Sequence, residues 1–143
     1  LRRAMSNFRY AKLRGNAPRD QSFREFAGGV GVRDGQLSRA PNYYVRKLAR
    51  RPASAVLSEA DLADALGDLS RYRKVIVLEH ERLEAELGEL GMRRVKPKRM
   101  SGEVSGLTLA PEETAVSEAE QVWFLEQNRL DLTLYDRISG AKL

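Results

Sequence analysis

The sequence has 143 residues, 42% of them hydrophobic, which is enough for one domain with a core of its own. The absence of cysteine and the single histidine exclude disulfide bonds, thiolate catalysis, Cys-ligated zinc and metal centres with several histidines, and no apolar run reaches the roughly eighteen residues of a membrane span. The net charge of +5 is uneven, because residues 1–51 carry 13 Lys and Arg against 3 acids whereas residues 52–143 carry 12 against 17.

Three short helices are predicted in the basic half. The first covers residues 1–14, where apolar side chains recur at helical spacing. The second covers residues 22–26, where Ser22 and Glu25 have the spacing of a capping box. A glycine-rich loop follows, and a third helix is expected over residues 42–49.

The centre of the chain is predicted to be a strand, a tight turn and a helix. Residues 75–78 form the only β-branched apolar run, which predicts a strand over residues 74–79 that is buried on both faces. Leucines four and three apart then predict a helix over residues 81–90, ending at Gly91. The expected fold class is therefore α/β. A single strand needs neighbours, so its partners are either cryptic or outside this chain.

Capping signals place two further helices in the second half. Ser58 and Asp61 predict a helix that leads into the centre, and Ser117 and Glu120 predict the start of a last helix with a break near Asn128. No phosphate loop of the GxxxxGK[ST] or GxGxxG type occurs. Residues 92–106 are predicted to be a loop rich in cations, namely Arg93, Arg94, Lys96, Lys98 and Arg99.

Six segments, taken in order, follow one pattern. LRRAMSNFRYAKLRG is similar to the line "veRaiShyrylr", with Arg3 and Ser6 at the R and S. NYYVRKLA is similar to "N.qtrkLaG", with Arg50 where glycine is expected, and FLEQNRLDLTLYDRI is similar to "i.e.NalDleLYeya", with matches at Asn128 and Asp131. The other three segments are SFREF, SEADLADALGDLSRY and RYRKVIVLEHERL. Together they resemble the sulfotransferase family, most closely its membrane-type, carbohydrate-acting branch.

The resemblance implies a fold, a cosubstrate and an activity. It implies the C-terminal, helix-rich part of a P-loop-like fold that transfers a sulfuryl group from 3′-phosphoadenosine-5′-phosphosulfate (PAPS) to a hydroxyl of a small molecule or glycan, without a metal. Ser6, together with Arg3, would bind the 3′-phosphate, since hydroxyl and guanidinium groups on a helix favour anions. The cationic loop would close over the donor or an acidic glycan through Arg93, Arg94, Lys96 and Lys98.

The family's phosphosulfate loop and catalytic base have no counterpart in the sequence. In the family pattern both lie before the position of Leu1. Residues 1–143 are therefore expected to be either a single domain or the C-terminal part of a larger sulfotransferase domain. We expect no catalytic residue among them and no sulfotransferase activity from this chain alone. The lack of cysteine and of a visible signal favours a cytoplasmic location.

A different class of function also fits the charge distribution. A basic helical module that binds nucleic acid or another polyanion needs no catalytic residues. It explains the basic half, but neither the apolar run at residues 75–78 nor the ordered motifs. A coding bias toward arginine would also produce the basic half without any ligand.

Overall fold

The computed structural model describes residues 1–28, 40–77, 83–93 and 109–140. Within these ranges the chain is helical, with seven α-helices and one 3₁₀ helix, Pro111–Thr114. The α-helices are α1 (Arg2–Leu13), α2 (Phe23–Ala27), α3 (Tyr43–Leu48), α4 (Glu59–Leu69), α5 (Leu83–Glu89), α6 (Glu118–Gln127) and α7 (Arg129–Gly140).

The predicted α/β fold class is wrong for the part of the chain that the structure describes, since those ranges contain no strand. Residues 74–77 are irregular and half-buried, and residues 78–80 lie outside the described ranges. A strand requires a neighbour to take up its backbone hydrogen bonds, and no described segment supplies one. Four consecutive apolar residues indicate burial, but they do not distinguish a strand from an irregular segment packed on helices.

The helix predicted after this run is confirmed over Leu83–Glu89. Two residues after its end, Gly91 has a φ of 69°, a left-handed conformation that glycine adopts without steric cost and that stops the helix from continuing. Lys74 forms an ion pair with Glu89, which joins the irregular segment to the last turn of α5.

Two predicted capping boxes are confirmed by hydrogen bonds. The Ser22 hydroxyl accepts from the Glu25 N–H at 3.2 Å, and the Glu25 carboxylate accepts from the Ser22 N–H at 2.8 Å. Ser117 and Glu120 repeat the pattern at 3.2 and 2.9 Å. These local motifs fix where α2 and α6 begin, because they satisfy amide groups that the first helical turn leaves free.

The helices enclose two clusters of buried side chains. In the first, the ring of Phe23 in α2 lies 5.6 Å from that of Phe8 in α1 and 5.7 Å from that of Phe124 in α6. The second cluster joins α3, α4 and α7. Since α6 and α7 are separated by Asn128 alone, the two clusters are connected through that short turn. The second cluster consists of Val45, Leu62, Ala65, Leu130 and Leu134.

A buried lysine ties the first cluster to neighbouring turns. The Lys12 ammonium group donates to the backbone carbonyls of Arg19 and Glu113, both at 2.6 Å, and lies 4.7 Å from the centre of the Phe8 ring. These contacts connect α1 to the 3₁₀ helix across the sequence. Burial of a charged group is tolerated here because hydrogen bonds replace its hydration.

Arg50 adopts a left-handed backbone conformation, with φ 57°. A residue with a Cβ pays about 1–2 kcal/mol for this conformation, whereas glycine does not. We therefore expect Arg50→Gly to raise the free energy of unfolding by about 1 kcal/mol, after allowing for the greater chain entropy that glycine loses on folding. Urea unfolding measures the difference.

The matched control is Arg14→Gly, at the end of α1, where φ is −86° and glycine relieves no strain. That variant should lose stability rather than gain it. If Arg50→Gly and Arg14→Gly both lose stability, the left-handed conformation at position 50 costs nothing and the explanation is incorrect.

Candidate anion-binding site

The exposed side of α1 carries cations that have no carboxylate partner in the part of the chain that the structure describes. Ser6 lies four residues after Arg2, three after Arg3 and three before Arg9, spacings that bring side chains together on one side of a helix. All four are exposed, and α1 contains no acidic residue. Within the described residues the three arginines form no ion pair and the Ser6 hydroxyl forms no hydrogen bond. We call this set, Arg2, Arg3, Ser6 and Arg9, the α1 face.

The predicted cationic loop is described only at its beginning. Arg93 follows the end of α5 and is exposed. Arg94, Lys96 and Lys98 lie outside the described residues, so their position relative to Arg3 and Ser6 stays a prediction. Of the six residues predicted to bind the donor, the structure therefore places three, two of them on the α1 face.

Several cations of the basic half have structural roles that the sequence did not indicate. Arg46 is buried and donates to the carbonyls of Pro41, Pro52 and Ala55 at 2.7–2.8 Å. Burial lowers the pKa of its guanidinium group, and the charges of Asp131 and Asp61 oppose that shift. The basic half therefore exposes less free charge than its composition suggests.

Arg51 also has a structural role, because it binds a carboxylate of α4. Its Nε donates to the Asp61 carboxylate at 2.6 Å. This hydrogen bond, followed by that from the Ser58 N–H, lowers the pKa of the Asp61 carboxyl group. The Asp61 carboxylate therefore binds Arg51 and also caps the start of α4. The spacing of Ser58 and Asp61 predicted the cap.

Two of the resembling segments meet in a reciprocal cap between α3 and α7. The Asn42 side-chain oxygen accepts from the N–H groups of Leu130 and Asp131 at 3.0 and 3.1 Å, in the first turn of α7. The Asp131 carboxylate accepts from the N–H groups of Tyr44 and Val45 at 3.0 and 2.9 Å, in the first turn of α3. Each helix therefore supplies the cap that the other lacks.

Asn128 completes this contact. Its side-chain oxygen accepts from the Asn42 N–H at 2.9 Å, and the Asn42 amide donates to the Gln127 carbonyl at 2.9 Å. Asn42 has φ 55°, a conformation that asparagine tolerates better than most residues. Burial raises the pKa of the Asp131 carboxyl group, although the two N–H groups and Arg46 favour its ionised form.

A cavity of about 320 Å³ opens beside the α1 face, between α1, α2 and α6. Asn7 lies on its rim four residues after Arg3, so the cavity and the cations are neighbours on the same helix. The side-chain amides of Asn7 and Asn16 form no hydrogen bond within the described residues. The other lining residues that the structure describes are mainly apolar: Ala4, Tyr10, Ala11, Phe26, Ala27, Ala40 and Phe124.

Comparison with known proteins yields no match to a protein family, to a curated protein or to a solved structure. No group of three or more potential metal ligands occurs in the described ranges. In the same ranges, each helix is too short or too polar to cross a bilayer.

Proposed function

We propose that this chain is the helical, donor-binding part of a sulfotransferase-like protein that uses PAPS and sulfates a hydroxyl group of a carbohydrate. The observation that carries the proposal is the α1 face, where Arg3 and Ser6 are exposed, close in sequence and without a side-chain partner among the described residues. The proposal concerns the helices alone and does not require the strand that the structure lacks at residues 74–77.

Two features of the structure support the resemblance on which the proposal rests. Asn42 contacts Asn128 and Asp131, so matched positions from two distant segments lie together. Arg50 stands where the family pattern has glycine, and its left-handed conformation is one that glycine favours. Both features are expected if the segments fold together as the family pattern implies.

The roles of the binding residues follow from charge. A 3′-phosphate at the α1 face would accept a hydrogen bond from the Ser6 hydroxyl and charge-assisted ones from Arg3 and its neighbours. The adjoining cavity has a volume of about 320 Å³, enough for a flat ring, and the amides of Asn7 and Asn16 in its lining would pair with the edge of that ring. Sulfuryl transfer, like phosphoryl transfer, depends mainly on positioned cations around an in-line transition state.

Calorimetry with 3′,5′-bisphosphoadenosine (PAP) tests the assignment. A hydrogen bond to a charged group contributes about 1.5–3 kcal/mol, so Ser6→Ala and Arg3→Gln should each weaken PAP binding about tenfold or more. Ser54→Ala is the matched control, because Ser54 is also exposed and lies far from α1 in sequence. Equal PAP affinity in Ser6→Ala and Ser54→Ala would remove Ser6 from the site.

A second candidate is favoured by the same arginines, which form no ion pair with any described residue. A polyanion-binding module would use Arg2, Arg3 and Arg9 as charges alone, and its affinity would fall steeply with salt. The binding free energy would then be shared among the arginines, and Ser6→Ala would not change the affinity. Tight heparin binding without any PAP binding would select this function over the first.

A further inference from the structure

A second exposed surface, on α3, combines aromatic rings with cations. It consists of Tyr43, Tyr44, Lys47 and Arg50, and we call it the α3 patch. Its helix packs against α4 and α7, whereas α1 packs against α2 and the 3₁₀ helix. The α3 patch is thus built on different helices from the α1 face.

The two tyrosines stand edge to face. Their ring centroids are 5.1 Å apart with an interplanar angle of 71°, and Tyr44 is 55% exposed. A ring that is this exposed and nearly perpendicular to its neighbour can accept another flat group on its face. The main chain that carries this ring is held in place, because the Tyr44 N–H donates to Asp131 in the reciprocal cap.

The cations of the patch have no carboxylate partners within the described residues. The Lys47 ammonium group lies 3.4 Å from the Tyr43 hydroxyl and 5.7 Å from the centre of that ring. Arg50 is exposed and forms no ion pair there, whereas its neighbour Arg51 is paired with Asp61.

From these contacts we infer that the α3 patch binds single-stranded nucleic acid, with a base stacked on Tyr44 and backbone phosphates paired with Lys47 and Arg50. Stacking on an aromatic side chain beside a cationic track is how proteins hold single strands without reading their sequence. A duplex hides the faces of its bases, and a saturated polysaccharide offers no aromatic face, so neither uses the Tyr44 ring in this way.

Fluorescence anisotropy with a short, labelled single strand of thymidines tests the inference. Tyr44→Ala should weaken binding about fivefold or more, since stacking contributes about 1–3 kcal/mol per base, while Tyr44→Phe should bind like the wild type. Arg50→Gln should reduce the salt dependence, making the negative slope of log K against log salt shallower by about 0.7. The controls are Tyr135→Ala, an exposed tyrosine of α7 (41%), and Arg137→Gln, both expected to bind like the wild type.

Three results would overturn the inference. The first is that the chain does not bind the single strand. The second is that Tyr44→Ala and Tyr135→Ala lose the same amount of single-strand affinity. The third is that duplex or heparin binds more tightly than the single strand, with an affinity that Tyr44→Ala does not change. Ser6→Ala should bind the single strand as the wild type does, because the α3 patch does not include α1. Loss of PAP binding in that variant with full single-strand binding would therefore separate the two sites, and failure of one proposal leaves the other standing.

Discussion

Phe23→Ala should lower the free energy of unfolding by about 3–5 kcal/mol, the usual cost of truncating a buried phenylalanine. Phe23 is 1% exposed, and its ring packs against Phe8 and Phe124. Truncation would therefore open a void where α1, α2 and α6 meet. Because the α1 face rests on this cluster, the variant should also lose PAP affinity in proportion to the unfolded fraction.

Urea unfolding followed by circular dichroism measures the effect on stability. Tyr135→Ala is the matched control, since it removes a large but exposed ring and should change the free energy of unfolding by less than about 0.5 kcal/mol. A loss below about 1 kcal/mol in Phe23→Ala would mean that the aromatic cluster does not hold the three helices together.

Asn42→Ala should lower the free energy of unfolding by about 1.5–4 kcal/mol. The substitution removes the caps on Leu130 and Asp131, worth about 0.5–2 kcal/mol, and forces alanine into a left-handed conformation that costs about 1–2 kcal/mol. Asn42→Gly removes the same hydrogen bonds without the second cost. We therefore expect the glycine variant to be the more stable of the two in thermal or urea unfolding.

A double-mutant cycle of Asn42→Gly with Asp131→Ala tests whether the two caps act as one unit. Residues that share a hydrogen-bond network typically show coupling of about 0.5–3 kcal/mol. Additive losses would show that α3 and α7 are capped independently, and would remove the reciprocal cap from the explanation of the fold.

Local signals in the sequence predicted the helices well. Ser22 with Glu25 and Ser117 with Glu120 act within one helical turn, so their spacing alone specifies the contact. The break at Asn128 was likewise expected, and it separates α6 from α7. What failed was the strand at residues 74–79, because the burial of an apolar run depends on partners that the run itself does not identify.

Long-range contacts explain the other differences between the sequence-based predictions and the structure. Lys12 and Arg46 look like free cations in the sequence, yet both are buried and bonded to backbone carbonyls. The reciprocal cap joins Asn42 to Asp131 across almost ninety positions, which no local pattern reveals. The resemblance to sulfotransferases marked both residues as matched positions, but it did not indicate that they touch.

The claim that the α1 face binds the 3′-phosphate is tested most directly by comparing two nucleotides. PAP and adenosine 5′-phosphate differ only in the 3′-phosphate, so calorimetry of both against the wild type and Ser6→Ala isolates that group. We expect PAP to bind the wild type more tightly than adenosine 5′-phosphate does, and Ser6→Ala to lose about tenfold or more of its PAP affinity while its affinity for adenosine 5′-phosphate is unchanged. Equal affinities of the wild type for the two nucleotides, or equal losses for both in Ser6→Ala, would contradict the assignment.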